Sequence, residues 1–369
     1  MLKKKDIIEL KIEDNEFGGK AFGYHDGIKV TVKNGIPGQV VRVYIKRIRK
    51  NEAEAQVQEL VEASPIETET TCKHFGKCGG CLNQAIKYEK QLELKENQVK
   101  KLFDKQDIKY HQWLGIEKSP QSFDYRNKME LSFGDEEKGG PLTLGMHKRG
   151  RYYDIVTVDD CRIMDGDFRK ILILLLEYFR DKNVIQYNTR RNKGYLRHLV
   201  IRKAFFTGEI LINLVTTTQK QISLQDLQEK ILELDLQGKI VGILHTLNDS
   251  LADIVQSDKT NILYGRDYIV ERLLGLQFKI SAFSFFQTNS QGAEKLYSIV
   301  KDFVGDAKDK VVFDLYCGTG TIGQIVASSA RKVIGIELVE DAVKAARENA
   351  SLNKIDNCTF IAGDVKEEI

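Results

Sequence analysis

The stretch "DLYCGTGTIG", residues 314–323, decides how the C-terminal part of the chain is read. It carries Gly318, Gly320 and Gly323 in G-x-G-x-x-G spacing. That spacing alone is a weak sign of a nucleotide site, and its setting adds the weight. "KVVFDLY" before it has the make-up of a buried strand, and "TGTIGQIVASSA" opens a helix. "KVIGIEL" is the next strand, with Glu337 at its end, 19 residues after Gly318. The helix "VEDAVKAARENASLN" and the strand "NCTFIAG" follow. Strand, glycine loop, helix, strand, helix, strand is the first half of a doubly wound parallel sheet.

Two cofactor types fit this pattern. A dinucleotide places its pyrophosphate on the helix N-terminus and its ribose hydroxyls on the acid after the second strand. S-adenosylmethionine has no phosphate; it needs room beside the loop and an acid for its amino group. Asp314, four residues before Gly318, is placed for the methionine moiety, and Asp364 in "AGD" for the adenine amine. Both favour S-adenosylmethionine. The plainer alternatives are a loop or helix cap for Asp314 and a turn residue for Asp364.

Working back from the loop, residues 120–280 alternate strand-like runs with turns, among them "NKMELSFG", "RYYDIVTVDD" and "KIVGILHTLND". "GDFRKILILLLEYFRDK" reads as a helix within this mixed α+β region. Residues 83–104 place Ile86, Leu92, Val99 and Leu102 among many lysines and glutamates, the pattern of one long amphipathic helix. The helix is expected to pack on the C-terminal domain.

The first 64 residues read as all-β. "VVRVYIK" alternates Val41, Val43 and Ile45 with Arg42, Tyr44 and Lys46, the period of a half-buried strand. Gly18-Gly19, Asp26-Gly27 and Pro37-Gly38 mark turns. Short strands with glycine turns suggest an oligonucleotide-binding type of barrel. Lys46, Arg47, Arg49 and Lys50 would line one edge. The expected organisation is therefore a barrel at 1–64, a central domain at 65–280 and an α/β domain at 281–369.

"CKHFGKCGGC" groups Cys72, Cys78 and Cys81, and Cys161 sits apart in "VDDCRIMD". Thiolates suit an iron–sulfur cluster or zinc, and a triplet plus one distant cysteine suits a cluster better than two close zinc pairs. Unliganded thiols are the third possibility, and His74 is a spare ligand. Cys317 and Cys358 lie far off and read as structural.

The whole chain of 369 residues carries +3 net charge. Residues 121–205 hold 17 Lys+Arg against 12 Asp+Glu, including Arg149, Arg151, Arg190, Arg191, Arg197 and Arg202. Such a cluster is either a polyanion-binding face or an ordinary solvated surface. The longest aliphatic run, "ILILLL" at 171–176, is too short to span a bilayer. The start, "MLKKKDIIELKIEDNE", has no apolar stretch after its lysines, so a cytoplasmic protein is expected.

Taken in order, these pieces resemble the bacterial RNA (uracil-5-)-methyltransferases that carry a TRAM domain and an iron–sulfur cluster, with the ribosomal-RNA branch the nearest. The resemblance rests on "GGKAFGYHDGIKVTVKNGIPGQVV", "CKHFGKCGGC" with "DDC", "YRNKMELSFG", "LGMHKRGRYYDIV", "LRHLVIRKAFFTGE", "FFQTNSQGAEKLY" and "DLYCGTGTIG". It implies a [4Fe-4S] cluster on Cys72, Cys78, Cys81 and Cys161. It implies S-adenosylmethionine held by Gln287, Asp314, Tyr316, Gly318, Gly320, Glu337 and Asp364, with Asn289 nearby. It implies RNA contacts through the barrel and central domain, for which Lys46, Arg47, Arg49, Arg126, Lys148, Arg149 and Arg197 are the candidates. The implied partner of this monomer is 23S ribosomal RNA with its target base flipped out; transfer RNA is the other candidate, and a non-catalytic RNA-binding homologue the alternative class.

In that family a catalytic cysteine, a proton-abstracting glutamate and an Asp-Pro-Pro-Arg loop follow the third strand of the methyltransferase sheet. The four prolines here are Pro37, Pro65, Pro120 and Pro141, so that loop is absent from the sequence. Neither Cys317 nor Cys358 matches the nucleophile. The expectation is a chain cut before its catalytic residues and inactive alone, with only the first half of its α/β domain.

Overall fold

The computed structural model describes residues 2–251 and 259–369. The chain divides into two compact units: Met1–Phe75 with Gly79–Lys118, and Gly76–Cys78 with Ser119–Ile369.

The first unit contains β1 (Ile7–Lys11), β2 (Asp14–Glu16), β3 (Lys20–His25), β4 (Ile28–Lys33), β5 (Val40–Arg49), β6 (Glu52–Glu62) and α1 (Tyr88–Lys105). The strands form a six-stranded sheet in the order β1-β5-β6-β4-β3-β2. Val41, Val43 and Ile45 point inward as the alternation predicts, joining Leu10, Ile12, Val30 and Val32 in the core. The β3–β4 hairpin turns on Asp26 (φ 50°) and Gly27 (φ 77°), the left-handed pair that a tight two-residue turn needs. Past β1 the Glu13 amide donates to the Phe22 carbonyl of β3, which curls the sheet toward closure. Gly23 permits this: a Cβ there would lie 2.0 Å from the Lys11 carbonyl oxygen. Helix α1 starts five residues later than expected. It packs on β2, where the Gln98 amide donates to the Asn15 side chain (2.8 Å) and Lys101 pairs with Asp14.

The second unit begins with a mixed seven-stranded sheet. Its elements in chain order are β7 (Lys128–Asp135), β8 (Leu142–Lys148), β9 (Arg151–Thr157), α2 (Gly166–Asp181), β10 (Leu196–Lys203), β11 (Glu209–Thr216), α3 (Gln225–Leu232), β12 (Lys239–Leu247) and β13 (Lys259–Gly265). The strand order is β13-β12-β11-β10-β7-β8-β9, with β9 on one edge. β11 and β12 are parallel, with α3 in the connection between them. Helix α2 buries Phe168, Ile171, Leu172, Leu175, Leu176 and Phe179, recurring at three- and four-residue steps. Its N-cap, Asp165, accepts from the Asp167 amide at 2.8 Å.

The hairpin β14 (Tyr268–Leu273) and β15 (Leu276–Ser281) leads to α4 (Ser290–Val304). Then come β16 (Ala307–Leu315), α5 (Thr321–Val326), β17 (Ala330–Glu337), α6 (Glu340–Leu352), β18 (Cys358–Ala362) and α7 (Val365–Glu368). The last three strands are parallel, in the order β16-β17-β18. Val333 and Phe360 are buried in its packing layers against α5 and α6. No helix among the described residues is long and apolar enough to cross a membrane.

Candidate functional site

In a parallel sheet the strand ends that face the connecting loops form a crevice. Here those carboxyl ends are Leu315, Glu337 and Ala362 of adjacent strands. Six of the seven residues expected to hold a cofactor cluster there. Tyr316, Gly318 and Gly320 lie in the loop after β16, Glu337 closes β17, and Asp364 follows β18. Asp314 is the penultimate residue of β16.

The loop is held by its own acids. The Gly323 amide donates to Asp314 Oδ2 at 2.7 Å, so Asp314 does cap the turn into α5. The Glu337 carboxylate accepts from the Gly318 amide (3.1 Å) and the Val339 amide (2.9 Å). The Cys317 amide donates to the Ile336 carbonyl, and the Gly363 amide to the Glu337 carbonyl, each at 3.0 Å. Asp364 caps α7 by accepting from the Lys366 amide at 2.8 Å. Gly320 sits at φ 69°, and a Cβ on it would come within 2.6 Å of the Phe360 ring. Tyr316 holds φ 61° and leaves its side chain 73% exposed, a strained position for a residue with a Cβ.

Gln287 reaches the same cluster from the segment before α4. Its side chain hydrogen-bonds the Tyr297 hydroxyl, and burial and then Asp314 push the Tyr297 phenol up. Burial also raises the Asp314 carboxyl, against the Gly323 hydrogen bond. Burial, Asp314 and Glu337 together push the Cys317 thiol up to about 12, and burial and Asp314 push Cys358 up to about 11. Both thiols stay protonated at neutral pH, so neither is a ready nucleophile. Cys317 and Cys358 contribute instead to the packing around Phe360.

Three residues hold the Gln287 segment, and of these only Arg202 was named from the sequence, as part of the basic cluster. Asn127, just before β7, donates through Nδ2 to the Gln287 carbonyl (2.9 Å) and Ser290 Oγ (2.8 Å). Glu271 of β14, 1% exposed, accepts from Ser290 Oγ (2.6 Å) and from the Phe205, Phe206 and Arg272 amides. Arg202 of β10, 2% exposed, donates to the carbonyls of Ala282 (3.1 Å) and Ser284. Burial pushes its guanidinium down to about 10, which leaves it charged. Asn289 caps α4 by accepting from the Gly292 amide at 2.8 Å.

The arginine cluster is not one surface. Arg202 is buried as described. Arg197, expected among the RNA contacts, is 3% exposed, and its Nη1 donates to the carbonyls of Asn248 (3.0 Å) and Ser250 (2.6 Å). Arg126 is half-buried and donates to the Lys128 carbonyl at 3.1 Å. Lys148 is half-buried beside Glu136 at 3.3 Å, and Arg149 is half-buried. Lys46, Arg47 and Arg49 are exposed at the end of β5.

Cys72 and Cys81 belong to the first unit, Cys78 and Cys161 to the second. Among the described residues no three His, Cys, Asp or Glu side chains converge to hold a metal ion. The segment 71–87 is bends and turns apart from isolated bridges at Cys78 and Ile86, so no helix or ladder fixes the thiols. Four thiols are nevertheless the donor type that an iron–sulfur centre takes.

Comparison with known proteins places these observations in a family. The model for tRNA (Uracil-5-)-methyltransferase matches residues 87–368, and that for the TRAM domain matches residues 3–58. A Clostridium tetani protein described as an uncharacterized RNA methyltransferase is 55% identical over 368 residues, covering 100% of this chain and 81% of the relative. A second, from Caldanaerobacter subterraneus, is 51% identical over 99% of this chain and 81% of its own length. Among solved structures, the Pyrococcus abyssi tRNA (uracil-54, C5)-methyltransferase with S-adenosyl-L-homocysteine superposes with a TM-score of 0.75. It is 26% identical, over 97% of this chain and 80% of that one. The chain, with a TRAM domain at its N-terminal end, belongs to the RNA (uracil-5-)-methyltransferase family.

Proposed function

We propose that the chain serves S-adenosylmethionine-dependent C5-methylation of a uridine in 23S ribosomal RNA. The observation that carries this reading is the acidic crevice at the carboxyl ends of β16, β17 and β18. Asp314, Glu337 and Asp364 meet there with glycines at Gly318 and Gly320. A crevice built from three acids suits a cationic cofactor with no phosphate better than a pyrophosphate. S-adenosylmethionine, when bound, supplies an electrophilic methyl group. Glu337 would accept from the ribose hydroxyls, Asp364 from the adenine amine, and Asp314 with Gln287 from the amino acid end. Gly318 and Gly320 keep the loop low enough for a ligand to approach. The exposed, strained Tyr316 would lie against it, in keeping with strain collecting at functional positions.

Uracil C5 becomes nucleophilic once a thiolate has added to C6. That role is assigned to neither Cys317 nor Cys358, whose thiols burial and the nearby acids hold protonated. The residues present bind and orient. The target base must leave its stack to reach the crevice, which calls for RNA contacts away from it. A [4Fe-4S] centre on Cys72, Cys78, Cys81 and Cys161 belongs to the proposal on donor chemistry alone. Iron and acid-labile sulfide in anaerobically purified protein test it, and no chemistry here depends on it.

Transfer RNA is the second reading, favoured by the likeness to the Pyrococcus enzyme. Inactivating the gene and measuring 5-methyluridine by mass spectrometry in each purified RNA separates them. Loss from 23S RNA is the expected result. Loss from transfer RNA alone selects the second reading. No loss from either, with RNA binding intact, leaves a non-catalytic RNA-binding homologue.

A further inference from the structure

At the far end of the mixed sheet lies a groove of about 980 Å³ that no part of the cofactor crevice touches. Its floor is the end of β7 around Phe133 and the Tyr187 region, and its rim is the start of edge strand β9 and the loop at residues 188–193. Six lysine and arginine residues line it against two aspartates, Asp135 and Asp154. Both acids are partly engaged: Asp135 Oδ2 accepts from the Gly139 amide at 2.8 Å, and Asp154 faces Arg151 at 3.3 Å.

Aromatic rings stand among these charges. Tyr152 is 56% exposed and Tyr153 51% exposed, each much more open than a core tyrosine. The His147 ring stacks on Tyr152 with centroids 5.0 Å apart and planes 15° from parallel. The Arg190 guanidinium lies over the Tyr153 ring at 3.9 Å. Tyr152 and Tyr153 meet edge to face at 5.3 Å. The loop that presents Arg190 is fixed by its own chemistry, because Asn188 Oδ1 accepts from the amides of Arg190 and Arg191 at 3.1 Å each. Arg191 and Lys193 extend the positive rim and are exposed.

Flat π faces and guanidinium planes set among cations are what an unstacked nucleotide meets on a single-strand-binding surface. A protein partner of acidic character would satisfy the charge but has no need of the stacked pair. We propose that this groove is a second RNA-contact site, which takes unpaired nucleotides of the substrate by stacking on Tyr152, Tyr153 and Arg190 and by phosphate contacts to Arg191 and Lys193. It rests on the reading of the chain as an RNA methyltransferase and adds to it where the RNA is gripped. β7 relates the two sites. Asn127, just before its first residue, holds the Gln287 segment, and Phe133 to Asp135 at its other end line the groove. At about 3.3 Å per residue the two ends stand roughly 20–25 Å apart.

The test is binding of a fluorescein-labelled, U-rich single-stranded RNA of a dozen nucleotides to the purified chain, with a duplex of equal length as comparison. Tyr152→Ala with Tyr153→Ala should raise the single-strand Kd about tenfold or more, while Tyr153→Phe stays near wild type. Arg191→Gln with Lys193→Gln should weaken binding and flatten the dependence of log K on log salt by about two contacts. S-adenosylhomocysteine binding by calorimetry should be unchanged in all of these variants, which shows that the unit is folded. RNA carrying 4-thiouridine should crosslink to the peptide that contains Tyr152 and Tyr153. Unchanged Kd in the double tyrosine variant, or crosslinks only elsewhere, overturns the groove and leaves the methyltransferase reading standing. RNA bound by no form of the chain removes both. Equal loss of an acidic peptide and of RNA in the charge variants, with the tyrosines silent, assigns the groove to a protein.

Discussion

Replacing Glu271 by alanine removes the acceptor on which the β10–β11 turn, β14 and the start of α4 converge. Its carboxylate accepts four hydrogen bonds: from the Phe205 amide (2.7 Å), the Phe206 amide (3.0 Å), the Arg272 amide (3.0 Å) and the Ser290 hydroxyl (2.6 Å). Each buried donor left without an acceptor costs about 1–3 kcal/mol. Phe205 and Phe206 are 39% and 42% exposed, so water reaches part of that turn and the low end applies there. Removing the carboxylate also relieves its desolvation, which is strong enough to raise its pKa. The expected net loss at pH 7 is about 3 kcal/mol. Glu271→Gln keeps the shape and one acceptor oxygen, satisfies Phe206 and Arg272, and sets an NH₂ against the Phe205 amide. Its loss should be about 1–2 kcal/mol. Urea unfolding followed by far-UV ellipticity gives the stabilities, and hydrogen exchange at the Phe205, Phe206 and Arg272 amides locates the loss. The Ala variant should also bind S-adenosylhomocysteine more weakly than its stability alone explains, because Ser290 is next to the Gln287 loop. There is a pH signature. An acid whose folded pKa is raised is fully stabilising below its unfolded pKa and loses that contribution as pH rises through the folded value. The gap between wild type and Glu271→Gln should therefore narrow from pH 4 upward. An Ala variant within about 0.5 kcal/mol of wild type, with unchanged exchange at those amides, would refute the role given to Glu271.

Asp167 carries the opposite pH sign. Burial opposes its charge, but Lys203 Nζ at 2.8 Å and the Gln237 and Gly238 amides outweigh burial and lower its pKa. Its contribution is present above the unfolded value and lost as pH falls through the folded one, so Asp167→Asn should flatten the acid limb of a stability–pH curve below about pH 4. Glu337→Gln should weaken S-adenosylhomocysteine binding about 10- to 100-fold in calorimetry, since a hydrogen bond to a charged group contributes about 1.5–3 kcal/mol, and should cost about 1 kcal/mol in urea unfolding, since one of the Gly318 and Val339 amides then faces an NH₂. Gly320→Ala should destabilise the second unit by at least about 1–3 kcal/mol, because φ 69° is unfavourable to alanine and the added methyl meets Phe360. A midpoint equal to wild type would contradict that packing.

Signals that are local in sequence were readable before the structure. Val41, Val43 and Ile45 needed only a period of two, and the Gly318–Gly323 loop needed only its place between a strand and a helix. Asp26-Gly27 gave its turn by backbone preference alone. Signals that depend on distant partners were not. Arg197 and Arg202 read as surface charge because arginine usually is, yet their acceptors lie about 50 and 80 residues away at Asn248 and Ala282. Glu271 shares the buried face of β14 with Ile269 and Leu273. Nothing near it announces that the β10–β11 turn and the start of α4 would both donate to it. The cysteines are the reverse case: a close triplet and one distant cysteine suggested a centre, and among the described residues no three such side chains converge to hold one.

β7 carries a consequence of its own. One end of this strand is tied to the Gln287 segment and the other forms the floor of the basic groove. A strand paired on both sides, with β10 and with β8, neither stretches nor bends appreciably. It acts as a ruler. Whatever nucleotide is gripped at Tyr152 and Tyr153, the base offered at the crevice is one set a fixed span away along the RNA path. Site choice would then be written partly in a length: an RNA with the right uridine but a loop too short to bridge that span is rejected without any base being read.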